Sequence, residues 1–459
     1  MRALRALGMD GAVAYTFLAR SVSIAGSTGT VLLIVRFLSP VEQGYYYTLL
    51  SLVSLQLVFE LGFSFVIQQM AAHECAHLDL SPDGRAAGDP VAHARLASTL
   101  QLSLRWYTAA AAGMCLVLAP LGFAFFSRQA ASGPAPVEWR GPWLAAVIAS
   151  SVSLWCMPFY SFLEGCGHVR AVAAMRLRQS AATSACAWIP LLLGHGLYSP
   201  ALAIVGYVGA GVLFVAAHRR LLMGLLRHPA GENAVRWTRE IWPFQWRIAV
   251  SWICSYFTVQ ILIPMLFALR GPVEAGQMGM SLSITGYMTL LALAWTTTKT
   301  TPFGNMIARR EFEQLDRLFR RTLRQSLTVF GAIALAVCTL AALLAAVAPR
   351  FAARLVSPQL FALLVLAGGA NCMVQSLATL LRSFKYEPLL IQSLVVASLT
   401  LALTALTAPR WGNAGAALSC FVATAVVGLP FALAVFLRAR RGYLNVGKLA
   451  SVPQPCEGG

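Results

Sequence analysis

Charge is scarce in this chain. Only 11% of its 459 residues are Asp, Glu, Lys or Arg, against roughly a quarter in an ordinary soluble domain. A surface so poorly charged excludes a water-soluble globule of this size. Acids are the scarcer sign, 17 Asp and Glu against 35 Lys and Arg. Paired cysteines are missing as well. The ten Cys are scattered singly, with no CxxC pair and no disulfide-like spacing, which excludes a disulfide scaffold or a zinc ribbon. Cys115, Cys156, Cys254, Cys338 and Cys420 sit in apolar runs and read as packing residues. Arg2 and Arg5 precede the first apolar segment, but Arg20 interrupts it and no small-residue cleavage site follows, so a cleaved signal peptide is not expected. Alternating ten-residue strands, the mark of a membrane β-barrel, are absent too.

Apolar sequence fills the space: 58% of residues are hydrophobic and the mean hydropathy is +0.68. At about 20 residues per helical crossing of a ~30 Å hydrocarbon layer, twelve spans are predicted. They are 13–35, 46–70, 99–123, 142–164, 179–197, 200–217, 246–268, 277–300, 325–347, 359–381, 388–407 and 413–437. The expected fold is an all-α polytopic membrane protein.

With the N-terminus in the cytoplasm, 24 Lys and Arg fall in inside segments and 7 in outside loops, while Arg20, Arg105, Arg247 and Lys299 lie within spans. This bias follows the positive-inside rule and puts both termini in the cytoplasm. It also accounts for the net charge of +18 without nucleic acid as a partner.

A five-residue pattern repeats half a chain apart. Pro40, Val41, Glu42 and Gly44 return as Pro272, Val273, Glu274 and Gly276, each time outside after an odd-numbered span. An offset of six spans preserves orientation, which predicts two parallel six-helix lobes around a central cavity, the general plan of an alternating-access transporter. The expected division is an N-terminal lobe at 1–219, a cytoplasmic linker at 220–245, a C-terminal lobe at 246–437 and a disordered cytoplasmic tail at 438–459. Residues 307–326, IARREFEQLDRLFRRTLRQS, space Phe312, Leu315, Leu318, Phe319 and Leu323 at helical intervals among six Arg. They read as an amphipathic helix on anionic inner-leaflet lipids.

Polar residues inside spans are costly and therefore informative. Thr16, Arg20, Ser23, Ser27 and Thr30 follow one helical face of the first span, and Arg247, Ser251, Ser255 and Thr258 repeat the design in the seventh. Gln56, Glu60, Ser64 and Gln68 recur every four residues in the second, and Lys299 closes the eighth. Arg20, Arg105, Arg247 and Lys299 lie toward the cytoplasmic halves of their spans, with Glu60 nearer mid-membrane. An inward-open cationic vestibule suits a phosphate or carboxylate. The competing reading is that long cationic side chains snorkel to the interface. Glu60 is either an ion-coupling carboxylate or the salt-bridge partner of one of these cations.

Residues 36–74, RFLSPVEQGYYYTLLSLVSLQLVFELGFSFVIQQMAAHE, resemble the opening of bacterial polysaccharide-export flippases, the Wzx-like PST branch of the MOP superfamily. Those proteins pair a Leu-Ser-Pro-x-Glu-x-Gly-like turn with an acidic-Leu-Gly motif in the second helix. Glu60, Leu61 and Gly62 occupy that motif, with Glu where many members have Asp. FLEGCGHVRAVAAMRLRQ, around Gly165 and Arg170, is similar to the family's turn after the fourth helix, and the Gly276 region to its seventh-to-eighth turn. The resemblance covers most of the chain in topology and is diffuse in motif. It implies a MATE-like fold in the bacterial inner membrane. It also implies flipping of a polyprenyl-pyrophosphate-linked oligosaccharide to the periplasmic leaflet for exopolysaccharide or O-antigen synthesis, beside a glycan polymerase and export proteins. Substrate binding would fall to Arg20, Arg247, Lys299, Ser27, Ser251 and Ser255, and coupling or gating to Glu60, with H⁺ or Na⁺ as the only cofactor candidates. With the cytosol negative, each negative charge moved outward gains about 2.3 kcal/mol per 100 mV.

Two motifs point elsewhere. His73, Glu74 and His77 spell HExxH, which on a helix places two imidazoles and a Glu for zinc and would make a membrane metalloprotease. No third ligand is evident, and DLSPDG ends that helix within a few residues. Gly442, Gly447 and Lys448 match a phosphate loop, but Leu449 stands where Mg²⁺ needs a Ser or Thr. No catalytic or metal residue is therefore assigned and no enzyme is expected. A multidrug or cation antiporter of the same superfamily is the alternative within transport, disfavoured because its cargo would want acidic stripes.

Overall fold

A computed structural model describes residues 11–80, 86–130, 137–229, 235–384 and 388–450. The chain divides into two compact units, Met1–Tyr256 and Phe257–Gly459.

The first unit contains α1 (Gly11–Phe37), α2 (Pro40–Val53), α3 (Gln56–Glu60), α4 (Phe63–Cys75), α5 (Pro90–Ala130), α6 (Arg140–Gly165), α7 (Val169–Leu192), α8 (Ser199–Ala217) and α9 (Arg219–Arg227). A π-helical turn at Trp237–Ile241 leads into α10 (Trp242–Val259), inside which the division falls. Two three-residue strands, β1 (Leu78–Leu80) and β2 (Ala86–Gly88), pair antiparallel between α4 and α5. The second unit continues through α11 (Leu262–Arg270), α12 (Pro272–Thr297), α13 (Thr300–Ala308), α14 (Phe312–Val347), α15 (Pro349–Ala352), α16 (Pro358–Arg382), α17 (Leu390–Trp411) and α18 (Asn413–Phe421). A π-helical stretch at Val422–Gly428 then joins α19 (Leu429–Ala450).

Every predicted span coincides with a helical segment. Among the described residues ten helices are long and apolar enough to cross a membrane, or eleven if the bent pair Pro40–Glu60 and Phe63–Cys75 is one span. The expected twelfth is α7, predicted at 179–197. It begins ten residues earlier, and Arg176, Arg178 and Gln179 hold its hydropathy below that of a membrane crossing. Pro264 and Pro430, which fall within predicted spans, occupy places where a missing N–H costs little. Pro264 lies in the first turn of α11, and Pro430 follows the π-helical stretch.

The repeated PVE pattern has a local cause. Ser39 caps α2, its Oγ accepting from the Glu42 N–H at 3.2 Å, while the Glu42 carboxylate accepts from the Ser39 N–H at 2.8 Å. Pro40 fills the first helical position. This reciprocal box is worth about 1 kcal/mol. In the second unit Gly271 replaces the serine with φ at 94°, and Glu274 turns instead to Arg270 Nε at 3.0 Å and the Asn413 N–H at 2.9 Å. Gly412, at φ 54°, leaves no room for a Cβ beside that carboxylate.

The basic stretch around residue 312 departs from expectation. It is the start of the 36-residue α14, and its apolar face packs into protein. Phe312, Leu315 and Phe319 are buried with Leu377, Leu381, Ala432, Phe436 and Tyr443. Asp316, 6% exposed, accepts from Arg440 Nε at 2.7 Å and Nη2 at 3.0 Å and from Arg320 at 2.5 Å. These contacts hold the end of α19 against α14. The segment expected as a disordered tail from residue 438 is thus helical to Ala450, and 451–459 lie outside the described residues.

The expected linker, 220–245, lies along the first unit. Gln101 Nε2 donates to the carbonyls of Leu226 at 3.1 Å and His228 at 2.8 Å, and the Val235 N–H donates to Ser98 Oγ at 3.0 Å. Trp237 packs between Trp106 and Trp242. Arg95 bridges Glu74 at 2.8 Å and Glu240 at 2.6 Å. The Arg236 N–H, at 3.0 Å, and the Arg95 guanidinium hold the Glu240 carboxyl below its ordinary pKa.

Candidate functional site

The second span is broken at its acidic motif. Glu60 is the last residue of α3, and Leu61 and Gly62 follow with φ of 52° and 65°, both left-handed. Glycine accepts that conformation freely and leucine does not. α4 then leaves at 43° to the preceding helix. The break brings backbone groups and a carboxylate into the span, a feature tolerated within a membrane only where protein surrounds it. Here Glu60 is 3% exposed and accepts a short hydrogen bond from Ser64 Oγ one turn beyond the break.

Four further helices of the first unit send polar groups to this region. Tyr107 of α5, wholly buried, stacks on Phe63 with its phenol in electrostatic range of Glu60, as is that of Tyr207 on α8. From α7, the buried Gln179 donates to the Tyr207 carbonyl at 3.3 Å. Arg176, one turn earlier, donates to Glu164 at the end of α6 at 2.6 Å. Tyr160 of α6 fits beside Gly211, where a Cβ would collide with its hydroxyl and lie 3.1 Å from Gln179 Nε2. Tyr107, Tyr160, Glu164, Arg176, Gln179 and Tyr207 were not among the residues singled out from sequence. The three-residue step from Arg176 to Gln179, entering an apolar run, was the available signal.

The residues expected to bind substrate are distributed as follows. Arg20 and Ser27 are partly buried on α1, which packs along α7. The lower end of that polar stripe serves helix packing. Thr30 Oγ1 accepts from Trp188 Nε1 at 3.0 Å, and Gly26 abuts Ser184 so closely that a Cβ would collide with its hydroxyl. On α10, Ser251 is buried and Ser255 exposed, and the Arg247 side chain lies outside the described residues. Lys299 is exposed at the junction of α12 and α13, in the second unit. In the second span Gln56 contacts Met157 Sδ at 3.9 Å.

The HExxH residues flank a surface cavity. His73 and His77 lie on one face of the α4 end with ring centroids 6.0 Å apart, beside a cavity of about 470 Å³ that Asp89, Arg95 and Glu240 also line. Glu74, the general base of such a motif, is committed to Arg95. No group of three His, Cys, Asp or Glu among the described residues is arranged to hold a metal ion.

No family model matches the chain, and no curated protein matches it. Solved structures do. An inward-facing multidrug resistance MATE family transporter of the MOP superfamily aligns with a TM-score of 0.57 at 14% identity, over 92% of this chain and 99% of that one. The chain has the fold of MOP-superfamily transporters. A MOP superfamily transporter from Pyrococcus furiosus, described as having a binding pocket of reverse polarity that suggests a different function, aligns with a TM-score of 0.57 at 14% identity over 95% of both chains. A point mutant of the Vibrio cholerae MATE transporter VcmN aligns with the same TM-score, 0.57, at 14% identity over 95% of this chain and 98% of that one. The MATE-like architecture expected from the motifs is therefore present.

Proposed function

We propose that this protein is a secondary transporter, not an enzyme. Its cargo is a polyprenyl-pyrophosphate-linked oligosaccharide, flipped from the cytoplasmic to the periplasmic leaflet of a bacterial inner membrane for surface or exopolysaccharide synthesis. The observation that carries the transport reading is the buried Glu60, set at a broken transmembrane helix within a fold shared with solved transporters. A titratable carboxylate in that setting is a site where binding of H⁺ or Na⁺ is tied to helix geometry.

The anionic cargo is supported by the residues of the polar stripes. Arg20 lies partly buried in the first span, Arg247 occupies the matching place in the seventh, and Lys299 ends the eighth, with Ser27, Ser251 and Ser255 as hydroxyl partners. Forked guanidinium groups suit the oxygens of a pyrophosphate. The neighbours named as multidrug transporters supply a second reading, a cation antiporter. The arginines of the stripes argue against cationic cargo. Both termini are placed in the cytoplasm on the charge bias, and anionic inner-leaflet lipids, a glycan polymerase and export proteins are the proposed partners.

The test is export in cells. Arg20→Ala and Arg247→Ala each abolish surface glycan while a C-terminal fluorescent reporter shows normal membrane insertion. Normal glycan from both inserted variants overturns the anion site.

A further inference from the structure

Two thiols meet where α4 and α6 end. Cys75 is the last residue of α4 and Cys166 the residue that caps α6, and their Sγ atoms lie 3.1 Å apart. Both are partly exposed. Their approach is built into the packing. Gly165 lies against the backbone of α4 so tightly that a Cβ would sit 2.5 Å from the Gln68 carbonyl and 3.2 Å from the Ala72 nitrogen. On the other side, α6 closes with a Schellman turn. The His168 N–H donates to the Leu163 carbonyl at 3.1 Å, and Gly167 takes the left-handed position with φ of 87°. Neither cysteine is therefore on a free loop. Each is fixed by a helix end, and the two ends are locked together.

We propose that Cys75 and Cys166 are a redox modification site, forming a reversible disulfide that ties α4 to α6. Bond formation needs the sulfurs to close from 3.1 Å to about 2.05 Å. The oxidant is a small-molecule disulfide such as oxidised glutathione. One cysteine thiolate attacks it, forming a mixed disulfide and releasing one glutathione thiolate. The second cysteine, as thiolate, displaces the other. The two cysteines give up two electrons and two protons, and one oxidised glutathione becomes two reduced molecules. In a reducing cytosol the pair rests as thiols. The consequence is mechanical. α4 is the half of the second span beyond the break at Leu61 and Gly62, so the disulfide pins the distal end of the hinged segment to α6. That this would slow transport rests on the proposed function; the disulfide and the pinning do not.

The experiment uses the full chain in lipid nanodiscs, incubated with oxidised glutathione, quenched with an alkylating reagent and mapped by peptide mass spectrometry. The expected product is a single Cys75–Cys166 linkage, about 2 Da lighter than the dithiol through loss of two hydrogens and restored by dithiothreitol. Cys75→Ser and Cys166→Ser each eliminate it, with monodispersity by size exclusion confirming that both variants fold. Hydrogen exchange then reads the restraint, with amides of residues 61–70 exchanging at least threefold more slowly in the oxidised wild type. Full alkylation of both cysteines after oxidation of the wild type, or glutathione retained on one of them, overturns the site. A disulfide that leaves exchange in 61–70 unchanged overturns the pinning. Loss of transport in a reduced Glu60→Gln variant, by contrast, bears only on the proposed function.

Discussion

Glu60→Gln separates a coupling carboxylate from a structural one. The side chain is 3% exposed and accepts from Ser64, and a glutamine amide has nearly the same shape with an oxygen that still accepts that bond. The structural cost of the exchange is therefore the difference between a charge-assisted and a neutral hydrogen bond, about 1 kcal/mol. Burial of a charge is also relieved, which offsets part of it. Thermal unfolding of the variant is accordingly expected within a few degrees of wild type. Transport responds differently if the carboxylate must gain and lose a cation. An amide cannot do so, and the rate in proteoliposomes carrying a short fluorescent polyprenyl diphosphate sugar falls at least tenfold, about 1.4 kcal/mol in barrier. What remains no longer changes when a proton or sodium gradient is imposed. Ser64→Ala, which leaves the carboxylate titratable but removes its hydrogen bond, keeps the gradient response with altered rate. A Glu60→Gln protein that transports at wild-type speed with the wild-type gradient response refutes the reasoning, because the charge would then be incidental to the cycle.

Three further outcomes follow from the packing. Gly211→Ala drives a methyl into the Tyr160 hydroxyl in a buried setting; displacing that ring costs about 1–3 kcal/mol, measurable as a lowered unfolding temperature, and an unchanged temperature would contradict the close α6–α8 approach. Asp316→Ala strips the acceptor from Arg440 and Arg320; these arginines are 27% and 59% exposed, so the loss is discounted from the fully buried case to about 2 kcal/mol, and addition of Arg440→Ala to it should cost almost nothing more. The Glu240 carboxyl is held below its ordinary value of 4.5, so its contribution to the linker clamp is fully present above about pH 4.5 and is lost as pH falls through the lowered value. Amide exchange at Arg236, whose N–H donates to Glu240, corrected for the intrinsic pH dependence of exchange, should stay protected from neutral pH down to about 4.5 and lose protection below it, whereas Glu240→Gln should show weakened protection even near neutrality.

Features carried by long runs of residues were legible in the sequence, and those that depend on a partner were not. Twelve apolar stretches announce themselves because each keeps charge rare over about 20 positions, and each coincides with helix. The stretch from Phe312 to Leu323 shows the limit of periodicity. A basic amphipathic face is the same pattern whether the apolar side meets lipid or protein. What decides is the complementary surface supplied by Leu377, Leu381 and Phe436, far along the chain. The same holds for PVE, where proline at the first position and glutamate at the third are what many helix starts require. The pattern consequently marks two equivalent turns and says little about the lobes behind them.

The candidate site was half legible for a related reason. Glu60 stands out because a lone acid in an apolar segment is costly unless it couples an ion or pairs with a cation. Its setting does not, because a spacing of four residues presumes an unbroken helix and the chain turns left-handed at Leu61 and Gly62. Beyond the break, the Gln68 carbonyl receives Gly165. Conversely Arg176, which read as part of a turn, is helical because α7 begins at Val169; its guanidinium stays exposed and pairs with Glu164, while Gln179, one turn on, is buried. The first three turns of α7 carry three exposed arginines, Arg170, Arg176 and Arg178, of which Arg176 pairs with Glu164. The low hydropathy of α7 thus comes from its arginine-bearing start, ahead of the apolar run from residue 179. The least apolar of the long helices in the first unit gives up lipid-facing character to carry the polar groups that α6 and α8 close over.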